Sequence, residues 1–214
     1  MRFLFFTIFL SGFFCQSQTS IRFKSEVNLI NQKYDSIWIP SQETIVFTGS
    51  SSVRMWKDIQ KLFPEYQIIN SGFGGSQTID LLNYTDDLIL KYKPKKVFIY
   101  EGDNDISDKK RRKEILNTFS VIISKIKEQN ASTQIILISP KPSIARWHLK
   151  RKYIKLNKKL KKICEEDDSL EFANVWDIML ENRKIKKELF IKDGLHMNEA
   201  GYNLWYSVIK NYVY

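Results

Sequence analysis

Short apolar runs alternate with longer amphipathic segments along almost the whole chain, and this alternation restricts the fold more than any other feature. The apolar runs are rich in β-branched and aromatic residues, and they are the predicted strands: 44–48, 67–70, 96–100, 134–139 and 170–174. Apolar strands separated by helices are typical of a parallel sheet that is covered on both faces. We therefore predict a three-layer α/β/α domain, flavodoxin-like, with about five parallel strands.

The segments between these strands repeat their apolar residues at the spacing of a helix. The predicted helices lie over residues 25–34, around 81–89, over 115–126 and 153–164, and from Asn198 towards the C-terminus. Asn198 is a favourable N-cap residue, because its side chain can accept a hydrogen bond from the first helical turn.

The first 17 residues differ from the rest of the chain. One arginine precedes a short apolar run that ends at Phe14, and small or polar residues follow. This pattern is typical of a secretory signal peptide. We predict a signal peptide over 1–17 with cleavage near Ser17–Gln18, export to the periplasm or the medium, and a single domain over 18–214. A lipoprotein acylated at Cys15 is the weaker alternative, because bulky Phe14 fits that processing signal poorly.

The composition excludes several classes of site. With two cysteines and two histidines in 214 residues, a Cys/His zinc module, a disulfide framework and an iron–sulfur site lack ligands. Lys and Arg number 34 against 24 Asp and Glu, for a net charge of +10. The basic residues cluster at 109–113, 150–162 and 183–187. Because they are spread over several elements, we expect solvated faces with at most weak attraction to anionic surfaces, and no nucleic-acid partner.

Glycine-rich and polar segments follow the predicted strands. They are 49–53, 70–75 and 101–105, and a fourth, 193–196, lies near the C-terminus. The ligand of a doubly wound sheet lies beyond the carboxyl ends of its strands, so we expect these segments to meet at one edge. Together they contain a serine, a histidine, a carboxylate to orient it, and donors for an oxyanion, which is the set that acyl transfer requires.

These four segments, in this order, resemble the blocks of the SGNH/GDSL hydrolase superfamily, and especially its branch similar to platelet-activating-factor acetylhydrolase. The resemblance covers about residues 45–202, which is nearly the whole predicted mature chain. The residues that it implies are Ser51, Asp193 and His196 as a catalytic triad, with the Ser51 N–H, the Gly75 N–H and the Asn104 amide as oxyanion-hole donors.

One block departs from the family pattern. The usual Gly-Asp-Ser reads here as Gly49-Ser50-Ser51, and Ser52 follows, so the residues alone leave three candidate nucleophiles. The register of the family, Gly-x-Ser directly after the strand, selects Ser51. The Gly-x-Ser-x-Gly elbow of α/β-hydrolases is absent, which argues against that class.

Further side chains near the same sheet edge are predicted substrate contacts: Arg54, Trp56, Glu101 and Arg146. We interpret His148 as a surface histidine near the start of a helix. The function that these features favour is an exported serine esterase that removes short acyl groups, chiefly acetyl, from a carbohydrate or small ester, with no cofactor and no metal. The alternatives are a weakly active or inactive glycan- or lipid-binding module on the same fold, and a nucleotide- or flavin-binding protein.

Overall fold

The computed structural model describes the backbone of residues 14–214 and the side chains from Arg22 onward. At its centre is a five-stranded sheet of order β2-β1-β3-β4-β5, in which all neighbouring strands are parallel. The strands are β1 Thr44–Gly49, β2 Gln67–Asn70, β3 Lys96–Tyr100, β4 Gln134–Ile138 and β5 Leu170–Ala173, and a separate hairpin pairs β6 Leu180–Glu181 with β7 Lys184–Ile185. The predicted fold class is confirmed, and every predicted central strand is present to within one residue at each end.

Helices cover both faces of this sheet. Within the described residues they are α1 Phe14–Asp35, α2 Ser51–Arg54, α3 Ile59–Leu62, α4 Thr78–Asn83, α5 Thr85–Leu88, α6 Asp103–Ser107, α7 Arg112–Gln129, α8 Lys150–Glu165 and α9 Glu199–Val213. Single turns of 3-10 helix occupy Leu90–Tyr92, Trp147–Leu149, Asp177–Met179 and Lys187–Leu189. Asn198 caps α9 as predicted, because its side chain accepts from the Gly201 N–H at 3.1 Å.

Alternate residues of each strand feed two separate cores. In β1, Val46 belongs to the core that the sheet forms with α1, α4, α5, α7 and α8, whereas Phe47 belongs to the core formed with α2, α3 and α9. Both side chains are fully buried. This two-sided burial explains why the strands read as apolar runs rather than as an apolar–polar alternation.

Two predicted helices differ from those observed. The helix expected around 81–89 is two short ones, α4 and α5, because the chain breaks at Tyr84, where ψ is 18°. The Thr85 hydroxyl donates to the Leu81 carbonyl at 2.9 Å, so a side chain occupies an acceptor in the turn where the two helices meet. The helix expected over 25–34 is longer, since α1 begins at Phe14.

The predicted signal peptide lies largely outside the described residues, which exclude 1–13. The helix α1 runs through the predicted cleavage position at Ser17–Gln18. From Phe14 to Tyr214, no helix combines the length and the apolar character that a membrane crossing requires.

Candidate active site

A sharp turn at the end of β1 presents Ser51. Gly49 has a φ of +127°, and a Cβ at this position would lie 2.0 Å from the Tyr100 carbonyl oxygen of β3. Only glycine avoids that collision. The Ser50 N–H donates to the same Tyr100 oxygen at 3.1 Å, and α2 begins at the next residue. The chain therefore turns away from the sheet with Ser51 as the first residue of a helix.

The structure distinguishes the three consecutive serines. Ser50 and Ser52 are buried, with 1% and 2% of their surface exposed. Ser51 is partly exposed, and its Oγ lies 2.9 Å from Nε2 of His196. Among residues 22–214, Ser51 is the serine that contacts an imidazole, as the family register predicts.

His196 is held between Ser51 and a carboxylate. Its Nδ1 lies 2.6 Å from Oδ2 of Asp193, and the other carboxylate oxygen accepts the backbone N–H groups of Leu195 and His196 at 2.8 and 2.9 Å. Partial desolvation acts to raise the pKa of Asp193, but these hydrogen bonds outweigh it and lower that pKa to about 2. Asp193 is therefore ionised at neutral pH, and it can orient the ring and stabilise an imidazolium.

The backbone N–H groups of Ser51 and Gly75 lie beside the Ser51 side chain's turn and are free to donate. Neither the Ser51 N–H nor the Gly75 N–H makes a hydrogen bond to another described residue. The loop that carries Gly75 packs on the turn after β1, since the Phe73 N–H donates to the Gly49 carbonyl at 2.8 Å. Gly75 has a φ of +76°, a conformation that favours glycine, and it lacks a side chain that would cover its N–H.

Asn104 completes this set of donors. Its Nδ2 donates one hydrogen to the Ser76 carbonyl at 2.8 Å, next to Gly75, and its Oδ1 accepts from Nη2 of Arg146 at 2.9 Å. The Arg146 contact fixes which end of the amide is the donor, and the second Nδ2 hydrogen stays available. The turn after β1, the loop after β2 and the start of α6 thus converge at the switch point between β1 and β3.

A buried ion pair between Arg146 and Asp103 holds Asn104 in place. Arg146 donates from Nη1 to Oδ1 of Asp103 at 2.6 Å, and the hydroxyls of Tyr153 and Tyr100 bond the same carboxylate at 2.6 and 3.0 Å. Burial acts to raise the pKa of Asp103, but the positive charges of Lys141 and Arg146 outweigh it and lower that pKa. Asp103 is therefore a buried anion with a full set of donors.

Lys141 connects the Asp103–Arg146 ion pair to residues 193–196, which carry Asp193 and His196 and are called the histidine loop below. Its side chain is almost fully buried, and Nζ donates to the Leu195 carbonyl at 2.6 Å, one residue before His196. Desolvation lowers the pKa of Lys141, and the nearby Asp103 charge opposes that shift. The Ala145 N–H donates to the Gly194 carbonyl at 3.0 Å, so the segment after β4 holds the same loop at a second point.

Three of the predicted substrate contacts, Trp56, Glu101 and Arg146, are buried or paired with other side chains. Trp56 is 3% exposed and packs in the core against Tyr202 and Trp205, and Glu101 is completely buried. Arg146 has a side chain that is 16% exposed, and its guanidinium is occupied by Asp103 and Asn104. The predictions for Trp56 and Glu101 are corrected, because neither reaches the surface. Arg146 is a support for Asn104 rather than a free binding group.

Arg54 remains a candidate contact. Its side chain is half exposed, packs against Gly74, and lies 3.3 Å from the Glu26 carboxylate of α1. The same Glu26 oxygen accepts the Gly74 N–H at 3.0 Å, so α1 holds the loop that carries Gly75. His148 is exposed in a 3-10 turn, as expected.

Sequence reasoning missed several supporting residues. No sequence motif marks Asp103, Glu26, Lys141 or Tyr153, although Asp103 lies within the polar segment 101–105.

No group of three or more His, Cys, Asp or Glu side chains is arranged to hold a metal ion within the described part of the chain.

Glu101 is buried beneath the loop that carries Gly75 and Ser76, and it is hydrogen-bonded to that loop. Its Oε1 is hydrogen-bonded to the Ser76 hydroxyl at 2.6 Å, and Oε2 has no partner among the described residues. Burial, followed by the charge of Asp105, raises the pKa of Glu101 well above the ordinary carboxyl range. A neutral Glu101 can donate its proton to Ser76, whose hydroxyl then donates to the Phe73 carbonyl, 3.2 Å away.

Comparison with known proteins identifies the class. The sequence profile of the GDSL-like Lipase/Acylhydrolase family matches residues 38–204, most of the chain, so this protein belongs to that family and is an ester-bond hydrolase. The family expected from the sequence is confirmed.

Individual relatives share the fold over most of the chain. A platelet activating factor candidate from Streptococcus pneumonia is 25% identical, with a TM-score of 0.80 over 93% of this chain and 96% of its own. An acetylxylan esterase from Geobacillus stearothermophilus is 19% identical, with a TM-score of 0.66 over 82% and 95%. An N-acylneuraminate cytidylyltransferase from Escherichia coli O18:K1:H7 is 28% identical over 83% of this chain, which spans 41% of that relative's length.

Proposed function

We propose that this protein is an exported serine esterase that removes short acyl groups, acetyl above all, from a carbohydrate or a small ester. The observation that carries the proposal is the continuous contact from Ser51 Oγ to His196 Nε2 at 2.9 Å and from His196 Nδ1 to Asp193 at 2.6 Å. A serine hydroxyl becomes an effective nucleophile when an oriented imidazole can take its proton.

In the proposed reaction, Ser51 Oγ attacks the ester carbonyl carbon while its proton passes to His196 Nε2. The developing oxyanion accepts hydrogen bonds from the Ser51 N–H, the Gly75 N–H and the Asn104 amide. The tetrahedral intermediate collapses, the bond from carbon to the alcohol oxygen breaks, and the alcohol leaves with the proton from His196. Water then gives a proton to His196 and attacks the carbonyl carbon of the acyl-enzyme. The bond from that carbon to Ser51 Oγ breaks as His196 returns the proton to Oγ, which releases the acid and restores Ser51.

The proposed substrate class draws support from two relatives. One shares the fold and acts on acetylated xylan, and the other is named for N-acylneuraminate, so both names refer to carbohydrates. The site itself is open, with partly exposed Ser51 and His196 side chains, which suits an acyl group attached to a large alcohol.

The first test is hydrolysis of p-nitrophenyl acetate, butyrate and octanoate by the wild type and by Ser51→Ala. We expect the acetate to be the best of the three esters, and we expect Ser51→Ala to lower kcat by about three orders of magnitude or more. The neighbouring Ser50→Ala is the matched control, because the Ser50 side chain is buried away from His196.

Two results would contradict this proposal. Wild-type activity that persists in Ser51→Ala would assign the nucleophile elsewhere. A wild type that is inactive on all three esters and on acetylated xylan would favour the binding-module alternative. Export is tested separately, by N-terminal sequencing of protein from the culture medium or periplasm, where we expect a first residue near Gln18.

A further inference from the structure

A cavity of about 550 Å³ lies beside α8 and β5, outside the residues that the proposed reaction uses. We call it the β5–α8 cavity. It lies between Trp147 before α8, the outer face of α8, and Asn174 and Trp176 after β5. Its volume falls within the range of about 300–1,000 Å³ that small-molecule sites occupy.

The wall of the cavity is aromatic. Trp147 stacks on Trp176 with ring centroids 6.1 Å apart and an angle of 18° between the planes, and Trp176 stacks on Tyr153 at 6.0 Å. Tyr153 and Trp176 are buried, whereas Trp147 is partly exposed at the end of this stack. The Lys150 ammonium lies over the Trp147 ring, 4.7 Å from its centroid, and this lysine is itself exposed. A sugar ring would pack on the indole once Lys150 turns away from it toward an anionic group of the ligand.

Cations surround this aromatic surface. Lys150, Lys158 and Arg183 line the cavity, and none of them has a carboxylate within 4.0 Å among the described residues. Lys161 also lines it but is 3.5 Å from Glu165, and Asp177 is the one acidic residue of the lining. The surplus of positive charge favours an anionic ligand, and the planar guanidinium of Arg183 suits a carboxylate.

The cavity adjoins the candidate active site through a short segment. Trp147 directly follows Arg146, which holds Asn104, and the Ala145 N–H is bonded to the Gly194 carbonyl of the histidine loop. Tyr153, at the buried end of the aromatic stack, donates to Asp103. A chain of two or three sugars attached to the esterified unit could therefore extend along this segment into the cavity.

We propose that the β5–α8 cavity binds an acidic sugar of the glycan whose ester is cleaved, with its ring on Trp147 and its carboxylate near Arg183 and Lys158. This inference rests on the proposed function, since it takes the substrate to be a carbohydrate ester. It adds that the substrate is an acidic glycan and assigns the residues that select it.

The test is titration calorimetry with the full-length Ser51→Ala protein, which would bind without turnover. The probes are trigalacturonic acid and 3′-sialyllactose, and galactotriose and lactose are their neutral counterparts. We expect an acidic probe to bind at least tenfold more tightly than its neutral counterpart. Trp147→Ala and the double change Lys158→Ala/Arg183→Ala should each weaken binding about tenfold or more, and Trp147→Phe should retain most of it.

The matched control is Lys109→Ala/Lys113→Ala, which removes two cations from a different basic cluster. An equal loss of affinity in this control would overturn the proposal in favour of general attraction to the basic surface. The proposal would also be overturned if neither acidic probe bound more tightly than its neutral counterpart.

The outcomes separate the two proposals. Unchanged binding in the cavity variants, with ester hydrolysis lost in Ser51→Ala, would reject the cavity and keep the esterase. Selective binding without any wild-type ester hydrolysis would reject the esterase, and would reject with it the assignment of the bound sugar to a cleaved glycan.

Discussion

The two sides of Ser51 are built in different ways. On one side, the side chains of His196 and Asp193 are 22% and 43% exposed, and they come from a loop. On the other, Asn104 rests on Asp103 and Arg146, whose side chains are 6% and 16% exposed. A proton-transfer group must exchange with water, whereas oxyanion donors act best when their positions are fixed before the reaction. Under the proposed function, the buried network would fix the position of Asn104, and the exposed loop would carry the proton.

The largest expected effect lies on the exposed side. His196→Ala and Asp193→Ala should each lower kcat on p-nitrophenyl acetate by about three to four orders of magnitude. The melting temperature should change little in His196→Ala, whose side chain is partly solvated. It should fall modestly in Asp193→Ala, which also removes the acceptor of the Leu195 and His196 N–H groups. The comparison would fail if these variants unfolded at much lower temperature, or if hydrolysis continued at more than a tenth of the wild-type rate.

A smaller loss of activity, joined to a loss of stability, is expected on the buried side. Arg146→Ala should lower kcat about 10- to 100-fold at similar KM, because Asn104 loses the donor that orients its amide. It should also lower the free energy of unfolding by on the order of 3 kcal/mol, since Asp103 keeps its buried charge without that partner.

The double change Arg146→Ala/Asp103→Asn separates these two effects. Removing the buried charge should restore part of the melting temperature but none of the kcat. Recovery of both together would show that Arg146 acts only through stability, and that Asn104 needs no orienting donor.

The smallest effect concerns Glu101. Because burial raises its pKa, the folded state holds an extra proton at pH values between the unfolded pKa, about 4.3, and the higher folded pKa, so Glu101 lowers stability as the pH rises through that window. Glu101→Gln cannot lose a proton, and its amide can donate to Ser76. We expect the melting temperature of the variant, relative to the wild type, to increase between pH 5 and pH 8, by about 2–4 °C per kcal/mol. A constant difference across this range would show that Glu101 is charged throughout.

The sequence was sufficient for the central strands and for one helix cap, which depend on local pattern. The apolar strands and the Asn198 cap were located to within one residue, and Ser51, Gly75 and Asn104 lie in segments directly after strands. Asp193 and His196 follow no central strand, and it was the family resemblance that placed them beside Ser51. The direction of a long side chain depends instead on packing from distant elements. Trp56 turns into the core formed with α9, and Arg146 turns towards Asp103, 43 residues earlier. No local pattern carries that information, which is why both were predicted to contact substrate.

Gly49 affects how relatives of this chain should be interpreted. Its φ of +127° and the 2.0 Å approach to the Tyr100 carbonyl oxygen arise from two neighbouring strands and involve no reacting atom. Under the proposed function, a descendant that loses Ser51 would be inactive and would still be constrained to keep this glycine, or its sheet must be distorted. The glycine of the block therefore marks fold, whereas under the proposed function the serine two positions later, with Asp193 and His196, bears on whether a given relative is an enzyme.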